Sequence, residues 1–345
     1  MRPPRATAIV VTYNSAAHID NCLRHLLEAG LTVRVVDNAS SDNTNALVAA
    51  GFPKVALISN PFNAGFAAAV NQALAETDTD IVLLVNPDCI VSPTTVHALI
   101  CTLRSDAGVG ITGPRLTSPD GRHAVSAHPF ESWFVILASR FGGGLLPLSL
   151  RRLLCGGRRR AAYDASLEPG PPLAVDWVSG ACMAVRTSVL RDVGGLDEGY
   201  FMYYEDEELC LQTWRRGLRV LYVPAVAATH VGGASSHDPS WLWPHLYRSL
   251  LRFFARHRSG SYQVVRGIVL VRAVLGVVLA VARRPGREML ANPRARAWTH
   301  VARIAFSATP LTLTAASHGN GALTCTSSSR PSANAPSTGS ASSRR

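Results

Sequence analysis

Residues Ile81–Asp88 read IVLLVNPD, five consecutive apolar residues followed at once by a polar turn. A strand without polar residues is typical of a parallel sheet, because such a sheet is covered by helices on both faces. Similar short apolar segments occur on both sides of it. They predict further strands at Ala8–Thr12, Thr32–Asp37, Val55–Ile58 and Val109–Thr112.

Apolar residues at helical spacing fill the intervals between these strands. They predict helices at Ala16–Ala29 with Ser15 as N-cap, at Asp42–Ala50, at Phe66–Glu76, and at Pro93–Ser105 with Ser92 as N-cap. Strands that alternate with helices predict an α/β fold, with a mainly parallel central sheet and helices on both faces. Ligands of such sheets bind beyond the carboxyl ends of the strands. The candidate site therefore lies just after Thr12, Asp37, Ile58 and Val85.

The second half of the chain is predicted to regain order at Val175, after an irregular stretch over 113–174. A strand there precedes a short helix near Ser188–Val193, a helix at Glu205–Arg216, a strand at Arg219–Val223 and a basic helix at Trp241–Arg258. One face of that last helix is predicted to carry Trp241, Trp243, Leu246, Leu250 and Phe253 and to lie at an anionic membrane interface. The alternative is a solvated helix that closes the catalytic domain. We divide the chain into a catalytic domain (1–235), a basic amphipathic helical segment that associates with a membrane (236–306) and a disordered Ser/Thr/Ala-rich tail (307–345).

The positive charge of the chain is concentrated at its C-terminal end. The formal net charge is +11, and residues 231–345 carry 15 basic and 2 acidic residues. This asymmetry indicates an anionic partner, either lipid or nucleic acid. The 7 cysteines are widely spaced without a C-x-x-C motif, which fits a reducing compartment. No signal peptide is expected at Met1–Ala6, and the apolar run Gly267–Ala282 is expected to be short for a membrane span of about 20 residues.

Polar motifs follow two of the predicted strands. Asp88 is well placed to hold Mg²⁺ or Mn²⁺ that bridges two phosphates, since these cations prefer oxygen ligands. Asn86-Pro87-Asp88 is equally good turn chemistry. Asp37 is placed to accept a hydrogen bond from a pyrimidine base or from a ribose hydroxyl, while Asp42 is placed to cap the next helix. His230 is either a further metal ligand or a structural histidine.

Two other motifs also have two interpretations. Asn63 and Gly65 lie between a strand and a helix, where glycine permits close approach of the backbone to a nucleotide; alternatively, Asn63 caps the helix. Glu205–Glu208 opens a helix, where acidic residues favour the helix dipole. Four acidic residues beside the aromatic run Tyr200–Tyr204 exceed that need, so one of them is a candidate general base.

One motif is rejected. Gly108–Gly113 matches G-x-G-x-x-G by letter, but it lies in and just after a predicted strand, Pro114 follows it, and no helix opens there. The sequence contains neither a P-loop nor a G-x-S-x-G motif.

In combination and order, these motifs closely resemble those of family-2 glycosyltransferases of the GT-A fold. Among them the chain is most similar to bacterial rhamnosyltransferases, including actinobacterial enzymes that act on a polyprenyl-diphosphate-linked N-acetylglucosamine. The resemblance covers residues 6–235. It is carried by VTYN (Val11–Asn14), VDNASSD (Val36–Asp42), N-x-x-N-x-G-F (Asn60–Phe66), NPD (Asn86–Asp88), WVSGACMAVR (Trp177–Arg186), GGLDEGYFMYYED (Gly194–Asp206) and WRRG (Trp214–Gly217).

The resemblance implies a role for each matching position. Asp206 corresponds to the catalytic base and Glu205 is its neighbour. Asp88 and His230 correspond to metal-contacting residues, and neutral Asn86 replaces the first acidic residue of the family's D-x-D motif. The nucleotide-sugar would contact Thr12, Tyr13, Asn14, Asp37, Asn63, Gly65, Asn86 and Asp88, and the acceptor would contact Trp177, Gly180 and Tyr203.

The expected function is inverting transfer of L-rhamnose from dTDP-rhamnose to a polyprenyl-diphosphate-linked sugar, with a divalent metal (Mg²⁺ or Mn²⁺), in cell-wall or polysaccharide assembly. The expected location is peripheral, at an anionic membrane on its cytoplasmic face. One alternative is a UDP-sugar donor for another surface glycan. A nucleotidyltransferase is disfavoured because Tyr13-Asn14-Ser15 replaces a Gly-rich loop. A nucleic-acid-binding protein is disfavoured because Asp37, Asp88 and Glu205–Glu208 would repel phosphates.

Overall fold

A computed structural model of the chain describes residues 6–140, 170–232, 239–282, 292–310 and 313. The N-terminal part confirms the predicted alternation of strands and helices. In chain order its elements are β1 (Ala6–Thr12), α1 (Ile19–Glu28), β2 (Thr32–Asp37), α2 (Thr44–Gly51), β3 (Ala56–Ser59), α3 (Phe66–Ala75), β4 (Ile81–Val85), β5 (Cys89–Val91), α4 (Pro93–Ser105) and β6 (Val109–Thr117).

The remaining elements complete the sheet and add a helical region. They are β7 (His123–Ala124), β8 (Ala127–His128), α5 (Trp133–Arg140), β9 (Leu173–Ala174), β10 (Trp177–Val178), β11 (Cys182–Arg186), α6 (Thr187–Asp192), α7 (Glu205–Arg215) and β12 (Arg219–His230), followed by a 3₁₀ turn (Pro239–Leu242) and helices α8 (Trp243–His257), α9 (Ser259–Ala282) and α10 (Pro293–Ser307). Most of the predicted tail, 307–345, lies outside the described residues.

The central sheet is mainly parallel, as predicted. Its strand order is β3-β2-β1-β4-β11-β6-β12-β5. Strands β1 to β4 pair in parallel, and β12 is parallel to β6. Strand β11 inserts antiparallel between β4 and β6, and the short β5 pairs antiparallel with β12. The sequence did not predict the direction of β11, because a fully apolar strand can be buried equally well in either direction.

Strand β4 shows why both faces of the sheet are covered. Leu83 and Val85 pack into one hydrophobic core with α1 and α4, whereas Val82 and Leu84 pack into a second core with α3 and α7. Side chains of a strand alternate between the two faces, so a strand with no polar residue needs a helical layer on each side.

Two details of the sequence prediction change. Ser15 does not cap α1: His18 occupies the N-cap position, and its backbone N–H and that of Ile19 donate to the Ser15 carbonyl instead. The predicted cap at Ser92 is confirmed, with its hydroxyl accepting from the Thr95 N–H at 3.2 Å. Strand β12 continues past Pro224 to His230, because an irregularity between Val223 and Ala227 accommodates the proline.

The C-terminal helices form a third hydrophobic core with α5 and with residues before α7. The predicted exposed apolar face on the first of these helices is wrong, because Leu250 and Phe253 of α8 are fully buried. The exposed apolar face belongs to α9 instead. That helix is 24 residues long, with an 18-residue window of mean hydropathy 2.4, so by length and composition it exceeds the short run expected from Gly267–Ala282.

Helices α9 and α10 meet at a close contact between glycine and tryptophan. A Cβ atom built on Gly276 would lie 2.5 Å from the ring of Trp298, while one on Gly267 of the same helix would meet nothing within 4 Å. We therefore expect Gly276→Ala to lower the free energy of unfolding by about 1–3 kcal/mol through overpacking. Gly267→Ala should raise it by up to about 1 kcal/mol through helix propensity. Chemical denaturation of both variants measures this difference, and equal effects would contradict the packing.

Candidate active site

A cavity of about 370 Å³ opens beyond the carboxyl ends of the parallel strands, where the sheet topology predicted it. Loops after β1, β3 and β4 form one side of it, and the β10–β11 turn with the start of α7 forms the other. It brings together eleven of the predicted residues: Thr12, Tyr13, Asn63, Gly65, Asn86, Asp88, Gly180, Tyr203, Glu205, Asp206 and His230.

Two predicted nucleotide-contacting residues, Asp37 and Asn14, do not line this cavity. The Asp37 carboxylate accepts hydrogen bonds from the Thr12 hydroxyl (2.8 Å), the Ser40 hydroxyl (2.6 Å) and the Ser40 N–H (3.1 Å). Asn14 has a positive φ of 52°, and its side-chain oxygen accepts from the Ser41 N–H at 2.8 Å. Both residues hold the loops after β1 and β2 together behind the cavity wall.

Trp177, predicted at the acceptor site, also lies away from the cavity. Its ring stacks on His128 with centroids 4.1 Å apart, and its indole N–H donates to the Pro129 carbonyl at 3.0 Å. The remaining cavity residues were not predicted there, among them Asn38, Ser179, Met202, Trp241 and Leu242. Trp241, assigned from the sequence to a membrane-facing helix, reaches back so that its ring centroid lies 6.5 Å from that of Tyr13.

Asp88 and His230 form the candidate metal site. His230 Nε2 lies 3.2 Å from Asp88 Oδ1, and the Gly232 N–H donates to Asp88 Oδ2 at 3.1 Å. Burial acts to raise the pKa of Asp88, but the hydrogen bond and charge of His230 outweigh it and the net pKa is lowered. An ionised carboxylate beside an imidazole at the cavity wall fits a divalent cation.

The loop before α7 is held in an unusual backbone conformation. Tyr203 and Tyr204 both have positive φ, 69° and 71°, which few non-glycine residues adopt. On the other side of the cavity Gly65 has φ 87°, and a Cβ atom there would lie 2.7 Å from the Phe201 carbonyl oxygen. The Phe66 N–H donates to that same oxygen at 2.8 Å. The two walls of the cavity thus meet at Gly65, where only glycine fits.

The four acidic residues that open α7 have different environments. Glu205 and Asp206 face the cavity. The Glu207 carboxylate accepts from the Glu131 N–H at 2.9 Å, and Glu208 Oε1 lies 2.7 Å from His257 Nε2. Glu207 and Glu208 therefore make structural contacts, whereas Glu205 and Asp206 are available to the cavity. These separate positions explain why the segment has more acidic residues than the helix dipole alone requires.

Asp206 and Glu205 differ in their hydrogen-bond donors. The Asp206 carboxylate accepts from the Gly180 N–H at 2.9 Å and from the Glu207 N–H at 2.8 Å. Glu205 Oε2 is buried without a partner among the described residues. Burial raises the pKa of both groups, and the nearby Asp206 charge raises the pKa of Glu205 further. Asp206 therefore ionises first and Glu205 retains its proton.

An ion pair anchors the loop that precedes α7 (residues 193–204, called the catalytic loop) to the C-terminal helices. Asp197 accepts from Arg252 Nε at 2.9 Å and Nη2 at 2.7 Å. The guanidinium packs so closely on the loop that a Cβ atom at Gly199 would lie 2.0 Å from Arg252 Cζ. The Ser249 hydroxyl donates to the Met202 carbonyl at 2.8 Å. Helix α8 thus holds the segment that leads into Glu205 and Asp206.

Sequence comparisons place the chain beside known glycosyltransferases. Residues 7–161 match the family described as glycosyl transferase family 2. The N-acetylglucosaminyl-diphospho-decaprenol L-rhamnosyltransferase of Mycobacterium tuberculosis is 28% identical over 301 residues, which are 81% of this chain and 95% of that protein. Rhamnosyltransferase WbbL of Escherichia coli K12 is 44% identical over 87 residues, 24% of this chain and 32% of that protein.

Solved structures confirm the GT-A fold. The mannosyltransferase PcManGT of Pyrobaculum calidifontis, in complex with GDP-Man and Mn²⁺, superposes with a TM-score of 0.51 at 17% identity, covering 89% of this chain and 88% of that one. GalNAc-T7 with UDP, GalNAc and Mn²⁺ gives a TM-score of 0.52 at 12% identity, covering 91% of this chain and 58% of that one.

The Asp197–Arg252 pair predicts a pH-dependent stability. Hydrogen bonding and the charge of Arg252 outweigh burial and lower the pKa of Asp197. A lowered folded-state pKa stabilises the fold above the unfolded pKa, and this contribution disappears as the pH falls through the folded pKa. Arg252→Gln should therefore cost about 3 kcal/mol at neutral pH, since it leaves a largely buried carboxylate without its main partner.

Urea denaturation at several pH values measures this effect, and the difference from wild type should shrink as the pH falls below the ordinary aspartate range. Arg24→Gln is the matched control, because its partner Asp20 is 52% exposed. It should cause no measurable loss of stability. Equal losses in the two variants would show that the Arg252 contact does not stabilise the loop.

Proposed function

We propose, from the premise that this chain is a family-2 glycosyltransferase with a GT-A fold, that it transfers L-rhamnose from dTDP-rhamnose to a sugar carried on polyprenyl diphosphate. One observation carries the proposal: Asp88 and Asp206, from opposite ends of the catalytic domain, line the same cavity. The rhamnosyl donor and the lipid-linked acceptor are supported by the names of the two relatives, one of which the chain spans almost completely. A UDP-sugar for another glycan remains the alternative, since uracil and thymine both offer an N3–H donor.

The nucleotide part of the donor would occupy the side of the cavity formed by the parallel strands. Tyr13 and Trp241 provide aromatic surfaces for the base. Asn38 is fixed there by donating to the Gly65 carbonyl at 3.1 Å, and its backbone N–H donates to the Thr12 carbonyl at 2.9 Å. Asp37 supports this side from behind, by holding the Thr12 hydroxyl, rather than through direct contact.

Asp206 is the proposed general base. Its ionised carboxylate takes the proton of the acceptor hydroxyl while that oxygen attacks the anomeric carbon. The bond from the anomeric carbon to the diphosphate oxygen breaks on the opposite side, and its electron pair leaves with the nucleoside diphosphate. A single displacement inverts the anomeric centre, so no enzyme nucleophile is needed. The N–H groups of Gly180 and Glu207 orient the carboxylate toward the cavity.

Asp88 and His230 would hold the divalent cation, Mg²⁺ or Mn²⁺. When bound, such a cation stabilises the charge that develops on the leaving diphosphate. Asn86, at the first position of the usual acidic pair, remains beside this site: its amide nitrogen lies 3.5 Å from His230 Nε2. The amide is neutral, so Asp88 is the anionic ligand of this site.

Asp206→Asn tests the proposal. We expect kcat to fall by about 10²–10⁴ while the donor still binds, because the amide keeps the shape of the side chain but cannot take a proton. Product mass spectrometry with dTDP-rhamnose, UDP-sugars and a polyprenyl-diphosphate-linked N-acetylglucosamine measures transfer and identifies the donor. Calorimetric donor binding checks that the cavity is intact. Near-normal turnover with bound donor would exclude Asp206 as the base.

Glu205→Gln is the matched control for this variant. Glu205 is predicted to be protonated, so the neutral amide should retain most of the turnover. It should also leave the acid limb of the kcat/KM profile in place, because a protonated Glu205 carries no charge while Asp206 titrates. If Glu205→Gln lowered kcat as much as Asp206→Asn does, Glu205 rather than Asp206 would be the candidate general base.

We further propose a peripheral position at the cytoplasmic face of the membrane, where the lipid-linked acceptor is held. The supporting feature is the apolar face of α9, where six large side chains are 44–56% exposed: Val264, Val271, Val274, Leu275, Val278 and Leu279. The opposite side of α9 is buried against the C-terminal core, through residues such as Val265, Val269 and Ala273. A helix with one packed side and one apolar exposed side suits an in-plane position at an interface.

The double variant Val274→Asp/Val278→Asp should lower binding to vesicles of phosphatidylcholine and phosphatidylglycerol several-fold, because each aspartate adds charge to the face that enters the lipid. Val125→Asp is the matched control, since Val125 is 46% exposed but lies between β7 and β8. Co-sedimentation measures the bound fraction. Absence of wild-type binding at low salt, or an equal effect of the control, would contradict the membrane position.

A further inference from the structure

A second groove lies among the C-terminal helices, with a volume of about 580 Å³. Its charged lining is basic throughout: Arg248 of α8 faces Arg296, His300 and Arg303 of α10. Thr299 and Ser307 add hydroxyl groups, while Val277 and Val281 of α9 form an apolar wall. The groove shares no lining residue with the catalytic cavity.

The charges of Arg248 and Arg303 in this groove are not balanced within the described part of the chain. None of the lining residues found there is acidic, and neither Arg248 nor Arg303 forms an ion pair with a described carboxylate. The pKa of His300 is lowered by burial and then by the charges of Arg248 and Arg303. These groups repel one another, so an anion bound among them would relieve the repulsion.

Residues of α8 and of the turn before it lie between the groove and the catalytic cavity. Trp241 lines the cavity, and its ring centroid lies 6.1 Å from that of His245. Arg248, three residues further along the helix, reaches the groove. The pKa of His245 is lowered to about 4 by burial and by the charges of Arg248 and His300. His245 therefore stays neutral and separates the cavity from a cationic region beside it.

The groove also borders the apolar face of α9. Val277 and Val281 in its wall are helix neighbours of Val274 and Val278, which are 50% and 56% exposed. A molecule with phosphate at one end and a hydrocarbon chain at the other would meet matching chemistry at both ends. Free phosphate would use only the arginines.

We propose that this groove binds lipid-borne phosphate, and in particular the diphosphate of the lipid-linked acceptor, with Arg248 and Arg303 as its main ligands. Guanidinium groups pair with phosphate oxygens through two parallel N–H donors, which gives both strength and orientation. The acceptor sugar then points from the groove toward the cavity, and the polyprenyl chain runs along α9. This inference rests on the proposed function and adds the site that recognises the lipid carrier.

The test compares two acceptors on the full-length enzyme: N-acetylglucosamine on a short polyprenyl diphosphate, and the same sugar on a neutral alkyl chain. Arg248→Gln/Arg303→Gln should lower the preference for the diphosphate acceptor, measured as the ratio of kcat/KM values, by about tenfold for each arginine. The ratio cancels any general loss of activity. Arg294→Gln is the matched control, because Arg294 is exposed on α10 but lies outside the groove.

A second measurement identifies the source of the phosphate. If the ratio is unchanged but binding to phosphatidylglycerol vesicles falls beyond the Arg294→Gln effect, the groove takes a phospholipid headgroup, and the acceptor assignment is overturned. If neither quantity differs from the control, the whole inference is overturned. Failure of the wild-type enzyme to glycosylate either acceptor would contradict the proposed function instead, and the vesicle measurement still decides whether the groove binds lipid phosphate.

Discussion

The half-buried Asp206 carboxylate and its two backbone donors form the interaction on which this candidate site depends. Asp206 is kept ionisable by the N–H groups of Gly180 and Glu207, which belong to the β10–β11 turn and to the first turn of α7. Those two segments meet only if the loop before α7 turns sharply into the helix. The left-handed backbone at Tyr203 and Tyr204 makes that turn. Such a conformation persists only when surrounding contacts fix it.

The contacts that fix the loop come largely from the C-terminal helices. Arg252 holds Asp197, Ser249 holds the Met202 carbonyl, and the ring of His245 stacks on Phe201 with centroids 4.3 Å apart. The C-terminal helices therefore support the loop that leads into the candidate site, across the boundary that the sequence suggested near residue 235. The family-2 match itself ends at residue 161, before Gly180 and Asp206.

The sequence predicted well whatever depends on local pattern. The strands that end at Thr12 and Val85 follow from apolar periodicity, and the cap at Ser92 follows from capping chemistry. The shared site of Asp88 and Asp206 was implied by the resemblance to family-2 glycosyltransferases. Tertiary packing decided the rest. Asp37 carries the right chemistry for a nucleotide, but Thr12 and Ser40 occupy its carboxylate. Trp241 lines the cavity, and no periodic pattern in the sequence encodes that position.

The C-terminal helices show the same limit of prediction from sequence. Both α8 and α9 have an apolar side, and a helical pattern does not tell which partner covers it. In the structure the apolar side of α8 is covered, because α8 lies between the loop before α7 and the other two helices. Helix α9 has one covered apolar side and one exposed apolar side. Under the proposed function the acceptor stays in the bilayer, so the proposed lipid-facing helix α9 must stand at a fixed position relative to Asp206. Packed on both sides, α8 can provide that rigid connection: its Arg252 fixes the loop before α7, and its buried face supports α9.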